Sequence, residues 1–334
     1  MKTMKWLLRR EFWENKGSMF WAPIVVGALM VLFVGFTVLY GTASGEFNNK
    51  VVVTHEDGKA PVTTVTKNDV GLQFQALPEK EKQQIASMVS SGYMAASAPL
   101  FLMLSVVAFF YCLSALNEER RDRSILFWKS LPVSDAHTVL SKVVTASLVA
   151  PLITIAVGTF VSLLLLLIVG TTAAFHGVNL FGAVLSNADF YLAPLQLLGM
   201  LPVYVLWALP TIGWLLMVSA WAKSKVFLWA VGTPLLVVVI VKWTNFMLHF
   251  GIKIDWLIEN VIARTLFGLV PGTWLAVNKV DTQTMVNEQH TAIIGEVFKQ
   301  SWMSLSSPNA WIGAIAGVAM IVVAIRLRRW KDEA

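Results

Sequence analysis

Residues 143–170 read VVTASLVAPLITIAVGTFVSLLLLLIVG, a stretch without a single charged side chain. A helix needs about 20 mainly apolar residues to cross the hydrocarbon core of a bilayer. Similar charge-free windows occur at 19–40, 93–116, 191–222, 226–241 and 309–325. The fifth window continues to about residue 247, because the lysine that interrupts it can extend its charge toward the interface. The sequence therefore predicts an all-α polytopic membrane protein with six transmembrane helices.

The overall composition agrees with this class of protein. Of the 334 residues, 56% are hydrophobic and only 14% are charged, and the mean hydropathy is +0.66. Such values are typical of membrane proteins rather than soluble domains. The window at 19–40 is longer than the apolar core of a signal peptide, about 7–15 residues, so we predict a retained helix. Cys112 is the only cysteine, which excludes a disulfide within one chain and predicts a small apolar side chain in a helix.

The basic residues predict the orientation of the helices. Cytoplasmic segments of membrane proteins carry an excess of Lys and Arg. If the N-terminus is cytoplasmic, the shorter segments on that side hold 16 of the 26 basic residues: Lys2, Lys5, Arg9, Arg10, Lys16, Arg120, Arg121, Arg123, Lys129, Lys142, Lys223, Lys225, Arg326, Arg328, Arg329 and Lys331. We therefore expect both termini to be cytoplasmic. The net charge of +6 then reflects topology, and we do not expect a nucleic-acid partner.

Residues 1–18 are predicted to form a cytoplasmic amphipathic helix. Met4, Leu8 and Phe12 recur at helical spacing among basic residues. Trp6 and Trp13 favour a helix that lies in the inner headgroup region, since tryptophan concentrates at membrane interfaces. The alternative is a plain basic flank of the first transmembrane helix.

Two long outer loops are expected, at 41–92 and 249–308. In the first, β-prone residues on either side of Asp57-Gly58 predict a small hairpin. A polar helix is predicted to begin at Pro78-Glu79 and to continue to about Ser90.

The second long loop is not simply polar. An apolar stripe at 254–262 and an apolar run at 267–276 are each too short to span a bilayer. They predict re-entrant or interfacial helices on the outer face. Residues 283–305 predict a further amphipathic helix.

The sequence lacks the motifs of the common enzyme classes. It contains no HExxH, GxSxG, CxxC or GxxxxGK[ST] motif, and its five histidines are scattered. We therefore predict no catalytic residue, no metal site and no cofactor site in this chain, and do not expect an enzyme. No apolar window carries an ionisable residue near its centre, which argues against ion-coupled transport.

The charged loop between the second and third windows, at 117–142, reads NEERRDRSILFWKSLPVSDAHTVLSK. Its middle is the apolar run Ile125-Leu126-Phe127-Trp128, which Ser124 would cap as a short helix and Pro132 would end. An apolar centre with a charged rim suits a protein–protein contact. The alternative, weighed equally from the residues alone, is a helix that inserts its two aromatic side chains into the lipid interface.

The run ERRDRSILFWKSLPVS at 119–134, followed by Lys142, resembles the cytoplasmic loop of ABC-2-type permeases, the membrane subunits of ATP-binding-cassette exporters with the type V fold. The order of elements along the whole chain is also similar. The resemblance implies that the loop is a coupling helix on a separate ATPase subunit. The implied docking residues are Glu118, Glu119, Arg120, Arg121, Arg123, Ser124, Ile125, Leu126, Phe127, Trp128, Lys129, Leu131 and Pro132. In the elbow helix at 1–18, the corresponding residues are Trp6, Arg9, Arg10, Phe12 and Trp13.

The same resemblance implies a working unit and a location. Two permease copies, expected as a homodimer, would join two ATPase subunits in a bacterial inner membrane. ATP and Mg would be bound by the ATPase and not by this chain. The family's outer re-entrant helices would correspond to about 252–276.

The expected function is that of an exporter permease. It would couple ATP hydrolysis by the partner to outward movement of a lipid, a peptide or an amphipathic small molecule. One alternative is a permease-like subunit that carries no substrate and transmits ATPase motion to outer partners, as the long outer loops suggest. Another is a membrane assembly scaffold.

Overall fold

The computed structural model describes residues 2–44, 50–52, 65–67, 77–122, 133–179, 181–248, 254–280 and 294–331. Apart from one pair of short strands, the regular structure in these ranges is helical, which confirms the predicted fold class. The α-helices are Lys2–Glu14, Ala22–Ala43, Glu79–Gly92, Ala98–Ser114, Asn117–Arg121, Asp135–Val144, Ala150–Phe175, Phe181–Leu185, Ala188–Gly199, Leu201–Trp221, Val226–Leu248, Ile254–Leu257, Ala263–Phe267, Thr273–Val277, Ile294–Met303 and Pro308–Lys331. Short π- or 3-10-helical segments join several of them: Gly17–Trp21, Tyr93–Ser97, Thr145–Val149, Ile258–Ile262 and Ser304–Ser306.

Six helical rods are long and apolar enough to cross a membrane, as the sequence predicts. We call them spans 1 to 6: Gly17–Ala43, Glu79–Arg121, Asp135–Phe175, Ala188–Trp221, Val226–Leu248 and Pro308–Trp330. Several extend well beyond the apolar windows, because a polar helix continues the same rod. The chain is thus a multi-pass membrane protein.

Span 4 forms the centre of the bundle. Its half from Leu201 to Trp221 contributes Trp207, Ile212 and Leu215, all without measurable exposure, to the main core. Span 6 packs along its length. Spans 1 and 5 bury few residues and expose large apolar side chains. Such exposure is expected where side chains face lipid.

The N-terminal helix, Lys2–Glu14, packs on the start of span 3 at one end of the bundle. The end of span 2 and the end of span 6 meet there as well. We call this the basal end; it is the end that the sequence predicts to be cytoplasmic. Ser134 begins span 3 there as an N-cap, since its hydroxyl accepts a hydrogen bond from the His137 backbone N–H.

At the opposite end, the predicted polar helix of the first long loop is present as Glu79–Gly92 and runs into span 2. Strands β1 (Lys50–Val52) and β2 (Val65–Lys67) pair antiparallel, with Val52 opposite Val65. The predicted pairing is therefore confirmed, while Asp57-Gly58 lies outside the described residues.

Helices also occupy the described parts of the second long loop, as predicted. Those between Ile254 and Val277 pack against the bundle: the Tyr204 and Ser105 hydroxyls both donate to the Leu269 carbonyl oxygen, at 3.3 and 3.2 Å. The predicted amphipathic helix is observed over Ile294–Met303, and residues 283–293 of that prediction lie outside the described residues.

Candidate functional site

The structure describes both ends of the charged loop that the sequence singles out. Residues 117–122 end span 2 as a short helix, and residues 133–142 begin span 3. The docking residues Arg123, Ser124, Ile125, Leu126, Phe127, Trp128, Lys129, Leu131 and Pro132 lie outside the described residues. The candidate site is therefore the base of the loop.

A buried carboxylate, Glu119, organises this base. Its Oε1 lies 3.1 Å from Arg10 Nη2 and 2.9 Å from Lys142 Nζ, and its Oε2 lies 2.5 Å from Arg328 Nη1. The partners belong to the N-terminal helix, to the start of span 3 and to the end of span 6. One side chain at the start of the loop thus connects three other elements.

A second carboxylate, Glu11, completes the arrangement around Lys142. Glu11 Oε1 is 2.9 Å from Lys142 Nζ, and its Oε2 accepts a 2.8 Å hydrogen bond from the Tyr111 hydroxyl. On the other side, Asp135 Oδ1 is 3.0 Å from Arg328 Nε. We call Arg10, Glu11, Glu119, Asp135, Lys142 and Arg328 the basal charge cluster.

Four members of the basal charge cluster are deeply buried. Glu11 is 1% exposed, Lys142 3%, Arg328 5% and Glu119 7%. An isolated ion at such burial would cost several kcal/mol, but each of the three cations here meets at least one carboxylate of the cluster. Desolvation offsets much of the attraction within such a network, whereas removal of one partner leaves a buried charge uncompensated and is strongly destabilising.

Arg10 is held in its charged form by the same surroundings. Burial lowers the pKa of Arg10. The hydrogen bond to Glu14 and the charges of Glu11, Glu14 and Glu119 raise the pKa by more than burial lowers it, so the net pKa lies above the usual value. Arg10 Nε donates to Glu14 Oε1 at 2.9 Å. The N-terminal helix therefore remains attached to the base of the loop by a permanent charge.

The start of the loop is also bonded to the end of span 4. Arg120 Nη2 donates to the carbonyl oxygens of Ser219 and Ala222, at 2.6 and 2.9 Å. The Ser219 hydroxyl oxygen accepts from the backbone N–H groups of Leu116 and Asn117, each at 3.1 Å. Four spans thus meet at the two ends of one loop.

Two of the predicted docking residues, Glu119 and Arg120, contact the chain's own helices in this structure. Their assignment to an ATPase-docking surface stays a prediction. Glu118 and Arg121 are exposed, as a docking surface requires.

The N-terminal helix is present, and the face that it packs on the bundle is a different one from the stripe predicted for the headgroup region. Leu7 and Glu11 are each 1% exposed, whereas Met4, Leu8 and Phe12 are only partly buried. The helix turns toward the bundle because Glu11 meets Lys142 and Tyr111 there.

Of the residues assigned to the elbow, Arg10 joins the basal charge cluster and Phe12 is half-buried. Arg9, Trp6 and Trp13 are exposed. Lys16 Nζ lies 4.8 Å from the Trp13 ring centroid. Exposed tryptophan beside a basic residue is typical of a membrane interface.

Sequence reasoning missed the pairing of Glu11, Lys142 and Arg328. The available signal was weak: Lys142 and Arg328 sit near the ends of apolar helices, where basic residues are common anyway, and Glu11 lies in a helix rich in charged residues. Within the described ranges, no group of His, Cys, Asp and Glu side chains could hold a metal ion, and Cys112 is buried as a free thiol.

Comparison of the chain with known protein families, with curated proteins and with solved structures finds no match.

Proposed function

We propose that this chain is the permease subunit of an ATP-binding-cassette exporter. The observation that carries the proposal is the basal charge cluster, because it binds the base of the predicted docking loop to the N-terminal helix and to spans 3 and 6. A loop connected in this way can transmit a displacement imposed by a bound partner to the membrane helices. The sequence has no phosphate loop of its own, which fits a separate ATPase.

The mechanism follows from the coupling of two equilibria. Closure of the ATPase on ATP shifts the membrane subunit between two conformations only if the two proteins contact each other differently in each state. Ionic groups buried in a low dielectric hold their geometry, so the loop base, the N-terminal helix and span 6 would move together. Span 4 would follow through Arg120 and Ser219.

The working unit in this proposal contains two copies of the chain and two ATPase subunits in a bacterial inner membrane. ATP and Mg bind to the ATPase. The basal end faces the cytoplasm, and the cargo is a lipid, a peptide or an amphipathic small molecule that moves outward.

A second candidate function is a permease-like subunit that carries no cargo and transmits ATPase motion to outer partners. The observation in its favour is span 2, whose 43 residues run from Glu79 to Arg121. About 20 residues suffice to cross the hydrocarbon core, so span 2 extends well beyond it. One end of the span carries Glu119 of the basal charge cluster, and the other end is the polar helix Glu79–Gly92. Accumulation of cargo in inverted vesicles would distinguish the exporter from this alternative.

The docking proposal predicts the behaviour of a double variant. Phe127→Ala with Trp128→Ala should weaken binding of the co-purifying ATPase at least thirtyfold, roughly the effect of losing one aromatic hot spot. Stimulated ATP hydrolysis should fall in parallel. Both are measured with the purified subunits, the permease being held in lipid nanodiscs.

Trp330→Ala is the matched control, since Trp330 is an exposed aromatic side chain at the same end of the bundle. It should bind the ATPase like the parent protein. Equal binding by the parent and the double variant would refute the docking assignment. Purification from native membranes without any ATPase would refute the exporter proposal and favour a scaffold.

A further inference from the structure

A cavity of ≈ 440 Å³ lies where spans 4, 5 and 6 meet the helices between Ile254 and Phe267. Its walls are mainly apolar, with Val237 and Met320 among the lining residues. Trp256 and Ile312, which also line it, are 51% and 64% exposed. The cavity therefore opens on the apolar flank of the bundle, away from the basal charge cluster.

One charged side chain, Arg264, lines this cavity. Arg264 is 5% exposed. Its guanidinium donates to the carbonyl oxygens of Asn309 and Ala310 and lies over the Trp207 ring, 4.1 Å from the centroid. Among the residues that the structure describes, no carboxylate pairs with it, and its Nε has no hydrogen-bond acceptor there.

This arrangement contrasts with the basal charge cluster, where every buried cation meets a carboxylate. Burial lowers the pKa of Arg264 to about 10, so the guanidinium still carries its charge at neutral pH. Carbonyl oxygens and an aromatic face stabilise a cation only in part, and a buried charge without a counter-ion is costly. A cation held in this way beside an open cavity can interact strongly with an anion.

The position of Arg264 is built into the backbone around it. The Thr211 hydroxyl donates to the Arg264 carbonyl oxygen at 2.7 Å. Gly313 provides the space for the guanidinium, since a Cβ atom there would collide with its Cζ and Nη1 atoms. Asn260 and Asn309, bonded to each other at 3.0 Å, add polar groups beside the charge.

We propose that this cavity binds an anionic amphiphile, with its charged head at Arg264 and its hydrocarbon tail along the apolar wall toward the opening. A phosphate or a carboxylate satisfies the same guanidinium, since both accept charge-assisted hydrogen bonds from arginine. The tail replaces lipid contacts at the flank of spans 5 and 6. This inference goes beyond the proposed export function and does not require an ATPase.

The test uses the full-length protein in a neutral detergent without any ATPase. Binding of dioleoyl-phosphatidylglycerol is compared with that of dioleoylglycerol, which lacks the phosphate, and binding of oleate with that of oleyl alcohol, by native mass spectrometry. The parent protein should prefer the anionic member of at least one pair by roughly tenfold, as one added charge-assisted hydrogen bond would give. The pair that shows the preference identifies a phosphate or a carboxylate as the bound head group.

Arg264→Gln should abolish that preference, while Lys242→Gln should retain it. Lys242 is the matched control because it is an exposed cation on span 5. Ala316→Phe keeps Arg264 and fills the cavity, so it should weaken binding of the anionic ligand even if Arg264→Gln proves unfoldable. A parent protein without any preference, or an Arg264→Gln or Ala316→Phe variant that is folded and binds like the parent, would overturn the proposal.

Discussion

Replacing Glu119 with glutamine should lower the free energy of unfolding by about 3–5 kcal/mol, the usual cost of removing one partner from a buried ion network. Glutamine keeps the size of the side chain but removes its charge. Arg10, Lys142 and Arg328 would then face one another with Glu11 and Asp135 as the remaining carboxylates of the cluster. Glu11 would be the one deeply buried carboxylate left beside these three cations, because Asp135 and Glu14 are more exposed.

The measurement is an unfolding titration in mixed micelles of a mild detergent and dodecyl sulfate, followed by tryptophan fluorescence. Glu118→Gln is the matched control, because Glu118 is the exposed neighbour on the same helical turn. It should change the free energy of unfolding by less than about 0.5 kcal/mol. A similar loss in both variants would contradict the role given to Glu119.

A double-mutant cycle separates the energy of the Glu119–Arg328 ion pair from the effects of changing either side chain alone. Arg328→Gln alone removes one cation from the buried Glu119 carboxylate, whereas the double variant with Glu119→Gln removes both charges of this pair. The double variant should therefore lose less stability than the sum of the single variants, by roughly 0.5–3 kcal/mol. Additive losses would mean that the 2.5 Å contact between these side chains contributes nothing specific.

The spans could be predicted from the sequence because their signal is local. A run of apolar residues must become a helix in lipid, since the backbone has no water to bond to. Residues 143–170 therefore predicted a helix without knowledge of its neighbours. The same argument does not apply to Glu79–Gly92, which turn signals predicted as a polar helix and which continues into span 2.

The contacts of the basal charge cluster could not be predicted, because they join residues far apart in the chain. Glu119 is 109 residues from Arg10 and 209 from Arg328, and many other acid–base combinations were available. Hydrophobic periodicity also does not identify the side of the N-terminal helix that packs on the bundle. Glu11 is a polar position in that pattern, but its pairing with Lys142 makes it part of the buried face.

Arg264 was missed for a related reason. In the sequence it interrupts an apolar stripe, and such an interruption usually marks an exposed face. The structure buries it because the Gly313 position leaves room for a guanidinium against span 6. Arg264 and Gly313 are far apart in the chain, so their contact cannot be read from a single sequence.

The sequence does contain a signal for the crossing of spans 4 and 6, namely the segment Gly313-Ala-Ile-Ala-Gly317. Small residues four apart allow two membrane helices to approach closely. A Cβ atom added to Gly317 would lie 2.5 Å from the Leu209 carbonyl carbon and 2.7 Å from the Pro210 nitrogen. Across the same contact, a Cβ atom on Gly213 would collide with the Gly317 carbonyl oxygen. The close approach is therefore between backbones, which cannot move aside as a side chain can.

Gly317→Ala should consequently destabilise the protein by about 1–3 kcal/mol, the range for overpacking a tight contact. Gly35→Ala is the matched control, since Gly35 also lies within a spanning helix but has open space around its Cα. There the better helix propensity of alanine, about 1 kcal/mol, should leave stability unchanged or slightly raised. The two substitutions add the same methyl group. If Gly317→Ala lowers the free energy of unfolding and Gly35→Ala does not, the loss comes from the contact between spans 4 and 6. Equal effects at Gly317 and Gly35 would mean that spans 4 and 6 are not held together by this backbone contact.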